Sequence, residues 1–302
     1  MREYMRELPD DILLLDGATG SELERRGVDI GLPLWSANAI LNAPSILQDV
    51  HAAYLAAGAV AITTNTFRTH KRSLDKAGIG HLAADLTHQA VAIAQAARDD
   101  ANPAALVFGS VAPLEDCYSP DRAPDTETCR REHAQLIGHL MDAGVDLVLI
   151  ETMCSAHEAL AAIEAAEELA PGCWSICFCL SPNGTLLDGT PIGEIASALG
   201  GATFIGVNCV SAPSLAEHVT NLRAALPNDM RIAAYGNIGY ADEHGAWVST
   251  DAVDPDRFAE YGMAWVDAGA SVVGGCCGTT PETTLAMSDR LSKDRCNNPT
   301  QQ

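Results

Sequence analysis

Two adjacent cysteines, Cys276 and Cys277, are the residues of this chain best suited to a chemical role. They follow an apolar segment, residues 271–273, and the pair Gly274-Gly275. Neighbouring side chains on a regular strand point to opposite faces, so both sulfurs can reach one ion only where the strand has ended or bent. The two glycines permit such a bend. We therefore interpret the pair as two ligands of a soft metal.

A third sulfur ligand is predicted at Cys209, which closes the apolar run 204–209. Three cysteines with an open fourth position are typical of a catalytic zinc site, because structural sites fill all four positions with protein ligands. A fourth cysteine could be hidden among the other seven. The paired cysteines could also be small core residues, since free cysteine is often buried. The pattern favours the metal, and we interpret Cys173, Cys177 and Cys179 as packing residues.

Two acidic residues also stand at the ends of apolar segments. Asp16 follows residues 13–15 and precedes a loop of small residues, whose backbone N–H groups could face an anion. An acid beside donor amides suits a zwitterion, although Asp16 could instead cap a helix that begins near Ser21. Glu151 follows residues 147–150, where a carboxylate either binds a ligand or forms a salt bridge. Its position beside the other strand-end groups favours binding.

The elements that would position these residues are eight apolar, β-rich segments that alternate with helical patterns. Eight such strands predict a parallel sheet closed into a (β/α)8 TIM barrel. Helices are predicted over residues 45–57 and 81–98, from apolar spacings of three and four. The strands are predicted at residues 12–15, 60–64, 106–109, 147–150, 175–180, 204–207, 232–235 and 271–273.

A partial internal repeat indicates which end of the barrel is the working end. Ala-Gly pairs at 57–58, 143–144 and 268–269 each close a helix and open a strand, and Gly201 stands similarly. The polar pairs that follow, seven and eight residues later, are Asn65-Thr66, Glu151-Thr152, Cys276-Cys277 and Asn208-Cys209. They should lie at one height, at the carboxyl ends of the strands, where barrels of this kind place their active sites. We expect a single domain over residues 1–296 and a disordered polar tail over 297–302.

Composition limits the partners of the chain. Eighteen basic and forty acidic side chains in 302 residues give a formal net charge of −22, which repels nucleic acid and anionic membranes and favours cationic ligands. The first residues are charged throughout and lack the apolar core of a signal peptide, and no run approaches 18 apolar residues. We therefore expect a cytoplasmic protein with reduced cysteines. The sequence carries no signal for oligomeric state.

Across about residues 11–290 the chain resembles the homocysteine S-methyltransferases. The segments that carry the resemblance are Leu-Leu-Leu-Asp-Gly-Ala-Thr-Gly-Ser-Glu-Leu (13–23), Pro-Leu-Trp-Ser-Ala (33–37), Thr-Asn-Thr-Phe (64–67), Ile-Glu-Thr (150–152), Leu-Asp-Gly-Thr-Pro (187–191), Gly-Val-Asn-Cys (206–209) and Gly-Gly-Cys-Cys-Gly-Thr-Thr-Pro (274–281). The resemblance implies zinc-dependent methyl transfer to homocysteine, giving methionine.

The resemblance also implies a role for each site residue. The zinc ligands are Cys209, Cys276 and Cys277. The amino group of the acceptor is held by Asp16 and Glu151, and its carboxylate faces the backbone amides of Gly17 and Ala18 and the hydroxyl of Thr64. A thiol with a pKa of about 8.5 is only about 3% ionised at pH 7, a handicap of roughly 2 kcal/mol. Zinc would remove that handicap by binding the thiolate and keeping it nucleophilic.

The methyl donor implied first is a small sulfonium ion, S-methylmethionine or S-adenosylmethionine, with a betaine-like donor second. Four aromatic residues are expected near the mouth to face the cation: Phe67, Tyr235, Tyr240 and Trp247. The chain departs from the family's Tyr-Pro-Asn by having Gly236, and its loop 239–253 is individual, so donor selectivity could lie there. Two alternatives remain, namely another thiol or selenol acceptor such as selenocysteine, and a non-catalytic metal-thiolate binding protein.

Overall fold

The computed structural model describes residues 8–9, 11–242 and 246–297. Its main sheet has eight parallel strands, one for each predicted apolar segment. They are β1 (Leu13–Leu14), β2 (Ala61–Thr63), β3 (Leu106–Val111), β4 (Leu147–Met153), β5 (Trp174–Phe178), β6 (Phe204–Ser211), β7 (Arg231–Asn237) and β10 (Val272–Gly275). A separate antiparallel hairpin joins β8 (Gly239–Ala241) to β9 (Trp247–Ser249).

The sheet closes on itself. The strand order is β1-β10-β7-β6-β5-β4-β3-β2, and a parallel bridge between Leu15 and Ala61 brings the last strand back to the first. Two hydrogen bonds seal this seam: Val60 N donates to Leu14 O (2.9 Å) and Asp16 N donates to Ala61 O (3.0 Å). The predicted (β/α)8 barrel is confirmed, and all carboxyl ends of the strands lie at one end of it.

Helices pack around the outside of the sheet. Within the described residues they are α1 (Thr19–Arg25), α2 (Asn38–Asn42), α3 (Pro44–Ala56), α4 (Lys71–Lys76), α5 (Ala83–Ala101), α6 (Thr126–Ala143), α7 (Ala156–Leu169), α8 (Ile192–Ile195), α9 (Leu215–Ala225), α10 (Pro255–Asp267) and α11 (Pro281–Asn297). The two helices predicted from periodicity correspond to α3 and α5. The connection between β5 and β6 is the least regular, since α8 has only four residues and continues as a 3₁₀ helix, Ala196–Gly201.

Strand alternation divides the core into two parts. Leu13 and Leu15 point into the barrel, where they join a cluster with Phe108 and Phe204, whereas Leu14 points outward into the layer between sheet and helices. The barrel interior is therefore a packed plug, and the site must lie above it. The predicted tail begins at Asn297, which here ends α11, and residues 298–302 lie outside the described part. No described helix is long and apolar enough to cross a membrane.

Candidate active site

Two strands bend at the end of the barrel where the polar residues were predicted. The pairing register of β4 shifts between Ile150 and Met153, and that of β6 shifts between Asn208 and Ser211. Each irregularity contains a residue with a left-handed backbone, Thr152 (φ 62°) or Cys209 (φ 57°). Such conformations cost free energy for residues other than glycine and persist where the surrounding structure imposes them. Both strands thus redirect side chains at the barrel mouth.

The three predicted sulfur ligands meet at this mouth. The Sγ atoms of Cys209, Cys276 and Cys277 all lie within 4.8 Å of one another, and those of Cys209 and Cys277 are 3.8 Å apart. As the glycine pair predicted, β10 ends at Gly275, so the two adjacent cysteines lie beyond the regular strand and can face one point. Cys276 N donates to Gly236 O (2.8 Å), which ties this turn to β7. We refer to the three residues as the cysteine triad.

Two asparagine side chains hold the bent strands in place. Asn208 accepts from Thr152 N (2.8 Å) and donates to Thr152 Oγ1 (2.8 Å), so it ties the bend in β6 to the bend in β4. Asn237 accepts from Cys277 N (2.9 Å), and its amide nitrogen lies 3.9 Å from Cys209 Sγ. Both side chains are buried. The triad is therefore built on a rigid scaffold.

Mutual hydrogen bonding polarises the triad. The thiols of Cys276 and Cys277, with the Tyr118 hydroxyl and the Asn237 amide, lower the pKa of Cys209 well below its ordinary value. Hydrogen bonding to Cys209 raises the pKa of Cys276 and of Cys277 well above the ordinary value. Of the three thiols, Cys209 is thus the one that ionises most readily in the metal-free triad. A soft cation would let all three ionise, and the described geometry fits one such ion.

The two predicted carboxylates lie beside the triad on the floor of the same cavity. Asp16 is 3% exposed and accepts from Thr63 N (2.8 Å) and the Thr63 hydroxyl. Glu151 is 9% exposed and accepts from Ser110 Oγ (2.5 Å), Tyr235 OH (3.3 Å) and the amide nitrogen of Asn208 (3.4 Å). These donors are neutral, and within the described part of the chain no basic side chain pairs with either acid.

Burial without a cationic partner raises the pKa of both acids. Desolvation raises the pKa of Asp16 well above its ordinary value, and the nearby charge of Glu151 adds to this. Desolvation also raises the pKa of Glu151 to about 7, with a contribution from Cys209. A positive group arriving between them would reverse both effects.

The groups predicted to face the acceptor carboxylate are mostly engaged with other partners. Ala18 N donates to Thr279 Oγ1 (3.1 Å). The Thr64 hydroxyl accepts from Ser110 N (3.1 Å) and bonds to Thr66 Oγ1 (2.8 Å), whose own proton goes to Ser110 O. Within the described residues, Gly17 N has no hydrogen-bond acceptor. A side chain at Gly17 would collide, because its Cβ would lie 2.7 Å from Thr279 Oγ1 and 2.8 Å from the Tyr54 ring.

All eight predicted site residues line one cavity of about 710 Å³. Of the aromatic residues expected at its mouth, Phe67 and Tyr235 line it, whereas Tyr240 and Trp247 lie on the β8–β9 hairpin outside the lining. Trp35 and Tyr118 line the cavity instead. The described residues of the hairpin do not reach the cavity lining, which sequence position alone could not indicate.

Comparison with known proteins places this cavity in a family. A family model described as homocysteine S-methyltransferase matches residues 13–291. The chain belongs to that family. The homocysteine S-methyltransferase of Escherichia coli K12 is 33% identical over 304 residues, covering 93% of this chain and 95% of the relative. The selenocysteine Se-methyltransferase of Brassica oleracea var. italica is 30% identical, covering 98% of this chain and 93% of the relative. The chain is therefore a methyltransferase.

Solved structures agree with this placement. The metallated form of the homocysteine methyltransferase MmuM from Escherichia coli has a TM-score of 0.80 and 28% identity, covering 93% of this chain and 96% of that one. Its oxidized form has the same TM-score with 29% identity. A metal is thus reported for a homocysteine S-methyltransferase of the same fold. Among the described residues of this chain, the cysteine triad is the group of side chains that could hold a metal ion.

Four residues that build this candidate site were not predicted as site residues: Ser110, Tyr118, Asn208 and Asn237. Asn208 precedes Cys209 and was noted for its height, and that adjacency was the available signal. Asn237 is the asparagine of the segment that resembles the family's Tyr-Pro-Asn, which was its available signal, whereas Ser110 is an ordinary polar strand-end residue by sequence. The hydroxyl of Tyr118, which lies between β3 and α6, reaches 2.9 Å from Cys209 Sγ. Such a long-range loop contact leaves no pattern in the sequence.

Proposed function

We propose that this protein transfers a methyl group from a small sulfonium ion to the thiolate of homocysteine, giving methionine, with zinc held by Cys209, Cys276 and Cys277. One observation carries the proposal. The floor of one cavity presents three clustered sulfurs beside two buried carboxylates that have no described basic partner. Such a floor is complementary to an amino acid that carries a thiol.

Zinc suits the triad because thiolate sulfur is among its preferred ligands and because three protein ligands leave one position open. When bound, it would supply a Lewis acid that keeps the acceptor sulfur ionised at neutral pH. The chain's own contribution is rigidity. The bend at Cys209 and the support from Asn237 fix the sulfur positions before any ion arrives, so little ordering accompanies binding.

Asp16 and Glu151 would hold the acceptor's ammonium group. Each carboxylate keeps its orientation through neutral donors, Thr63 for Asp16 and Ser110 for Glu151, so no described basic side chain competes with the substrate ammonium for either acid. Charge-assisted hydrogen bonds between the ammonium and two such carboxylates fix the amino acid in the cavity. Fixing the amino end positions the sulfur for in-line attack on the methyl carbon, which is the principal means of catalysis available to side chains here.

The carboxylate of the acceptor would accept a hydrogen bond from the backbone N–H of Gly17. This N–H lies in the loop after β1, beside Asp16, and it has no other acceptor among the described residues. The Ala18 amide and the Thr64 hydroxyl could assist by exchanging their partners Thr279 and Thr66. A glycine is needed at position 17 because any side chain would enter the space taken by Thr279 and Tyr54.

A sulfonium donor is supported by charge and by the cavity lining. The chain carries a net charge of −22, and aromatic side chains line the cavity together with carboxylates. Attack of a thiolate on a sulfonium ion annihilates charge, so a cavity that strips water from both partners favours the reaction. We place S-methylmethionine before S-adenosylmethionine, and a betaine-like donor after both. The reaction would take place in the cytoplasm, as the sequence led us to expect.

The test is to incubate zinc-loaded protein with homocysteine and each of S-methylmethionine, S-adenosylmethionine, betaine and methylated folate, and to measure methionine. We expect methionine with the sulfonium donors. Methionine from betaine or methylated folate alone would overturn the donor assignment. Parallel reactions with selenocysteine would show whether the acceptor range matches that named for the Brassica relative. No methylated product from either acceptor would overturn the acceptor assignment.

A further inference from the structure

One aromatic side chain of the cavity is fixed directly to the cysteine triad. Tyr118 lies in the loop between β3 and α6, and its hydroxyl lies 2.9 Å from Cys209 Sγ and 3.4 Å from Cys209 O. The residue nevertheless remains 47% exposed and lines the cavity. One end of the side chain is therefore held at the triad, while its ring remains open to a ligand.

The other aromatic residues of the cavity are less free to receive a cation. The guanidinium of Arg68 lies 5.6 Å from the centroid of the Phe67 ring, and Trp35 packs edge-on against Phe67 at 5.4 Å. A ring that already faces a cation is a poor partner for a second one on that face. Tyr235 is only 3% exposed, and its hydroxyl donates to Glu151. Of Phe67, Tyr235 and Tyr118, Tyr118 is the one that is both exposed and in contact with the triad.

The charges around Tyr118 also favour a cation. The side chain of Asp116 accepts from Tyr118 N (2.9 Å) and from Ser119 Oγ (3.3 Å), and no basic residue pairs with it within the described ranges. The neighbouring Glu115 is neutralised by Arg72 and Lys76. A carboxylate without a described basic partner is thus hydrogen-bonded to the backbone N–H of Tyr118, and both residues line the cavity. A carboxylate and an aromatic ring together form a site for a weakly hydrated organic cation.

We propose that Tyr118 binds the onium group of the methyl donor with its ring, while its hydroxyl is tethered to Cys209. This inference rests on the proposed function. If the acceptor sulfur lies at the triad, the methyl carbon must approach the same point in line, which brings the onium centre beside the ring that the tether holds there. The chemistry recognised is an onium cation, either a sulfonium or a quaternary ammonium ion, and donor assays distinguish the two.

Two substitutions separate the ring from the hydroxyl. Tyr118→Leu removes both and should raise KM for the onium donor at least tenfold, equivalent to about 1.4 kcal/mol, while KM for homocysteine changes less than twofold. Tyr118→Phe keeps the ring and should leave KM for the donor within threefold. In the cobalt-substituted protein, Tyr118→Phe should shift the sulfur-to-cobalt charge-transfer band to longer wavelength, because Cys209 loses a hydrogen bond.

Tyr240→Leu is the matched control, since Tyr240 is also 47% exposed but does not line the cavity. It should change neither KM nor the cobalt spectrum. Circular dichroism would show that each variant is folded. A rise in KM for homocysteine equal to that for the donor in Tyr118→Leu would overturn the inference, as would equal losses in Tyr118→Leu and Tyr118→Phe. A wild-type enzyme that accepts no onium donor would instead refute the proposed function, together with this extension of it.

Discussion

The cysteine triad and the carboxylate pair are two solutions to one electrostatic problem. Each places groups that become negative close together, with the carboxylates buried and the triad partly buried, and without a described cationic partner. The triad resolves the conflict within itself, because two thiols donate to the third and lower the pKa of Cys209. The pair has no such internal proton donor, and desolvation raises the pKa of both Asp16 and Glu151. Each set is stabilised by the arrival of a cation.

The difference between the two sets indicates the order in which they are filled. Three sulfurs within 4.8 Å suit a compact ion that remains bound. Two carboxylates held by neutral donors suit an ammonium group that must come and go with each turnover. The metal would therefore belong to the resting enzyme, and the ammonium to the substrate.

Removal of one triad sulfur should have the largest effect. Cys209→Ala, Cys276→Ala and Cys277→Ala are each expected to lose the metal and all measurable methyl transfer, because two sulfurs and an open side hold zinc poorly. Each variant should still fold, since the barrel core lies below the triad. Metal analysis and circular dichroism check both statements. Cys173→Ala, a buried cysteine outside the triad, is the control, and full metal retention in all three triad variants would contradict the assignment.

Neutralising either acid of the carboxylate pair should weaken binding of the acceptor without affecting binding of the metal. Asp16→Asn and Glu151→Gln keep the shape of each side chain but remove its charge. Both are expected to retain zinc and to bind homocysteine at least tenfold more weakly, about 1.4 kcal/mol or more. Calorimetric titration with homocysteine measures this. Unchanged affinity in both variants would show that the carboxylate pair does not bind the acceptor. The triad would then be the remaining proposed binding group.

The pH dependence of acceptor binding should follow Glu151. Its pKa is raised to about 7, so it is mostly ionised at pH 8 and mostly protonated at pH 6. Protonation removes a partner of the ammonium, and binding should weaken as the pH falls, by up to about tenfold between these values. L-2-aminobutyrate is a suitable probe because it lacks a thiol. The Glu151→Gln variant should show a clearly smaller slope, with the remainder due to Asp16, whose pKa is also raised, and an undiminished slope in this variant would assign the dependence to another group.

The smallest expected effect is a gain in the stability of the metal-free protein. Burial raises the pKa of Asp16, so its charged form destabilises the ligand-free fold, and this cost grows as the pH rises above the ordinary carboxylate range. Asp16→Asn in the metal-free protein is expected to unfold at higher urea, with a gain of about 1 kcal/mol at pH 8 and less at pH 5. A loss of stability at pH 8 would show that Thr63 compensates the charge fully.

The sequence predicted the barrel and the height of the site because both depend on local patterns. Eight apolar segments gave eight strands, and the glycines before Cys276 predicted the end of β10. The bends at Thr152 and Cys209 were not predicted, since a left-handed residue within a strand is imposed by neighbours such as Asn208. β4 and β6 consequently extend beyond their apolar segments, to Met153 and Ser211.

The mouth of the cavity was predicted less well than its floor. Tyr240 and Trp247 follow β7 closely in sequence, yet they lie on a hairpin outside the cavity lining. Tyr118 lies far from any motif and touches the triad. Floor residues are placed by strand register, which repeats around the barrel, whereas mouth residues are placed by loops whose paths depend on tertiary contacts.

The most direct test of the account compares three ligands of the zinc-loaded enzyme by calorimetry: L-homocysteine, its analogue without the amino group (4-mercaptobutyrate) and its analogue without the thiol (L-2-aminobutyrate). If triad and pair are separate anchors for the two ends of one substrate, each analogue should bind at least tenfold more weakly than homocysteine. In Asp16→Asn, the difference between homocysteine and 4-mercaptobutyrate should shrink. Equal affinity of homocysteine and 4-mercaptobutyrate for the wild-type enzyme would contradict the account.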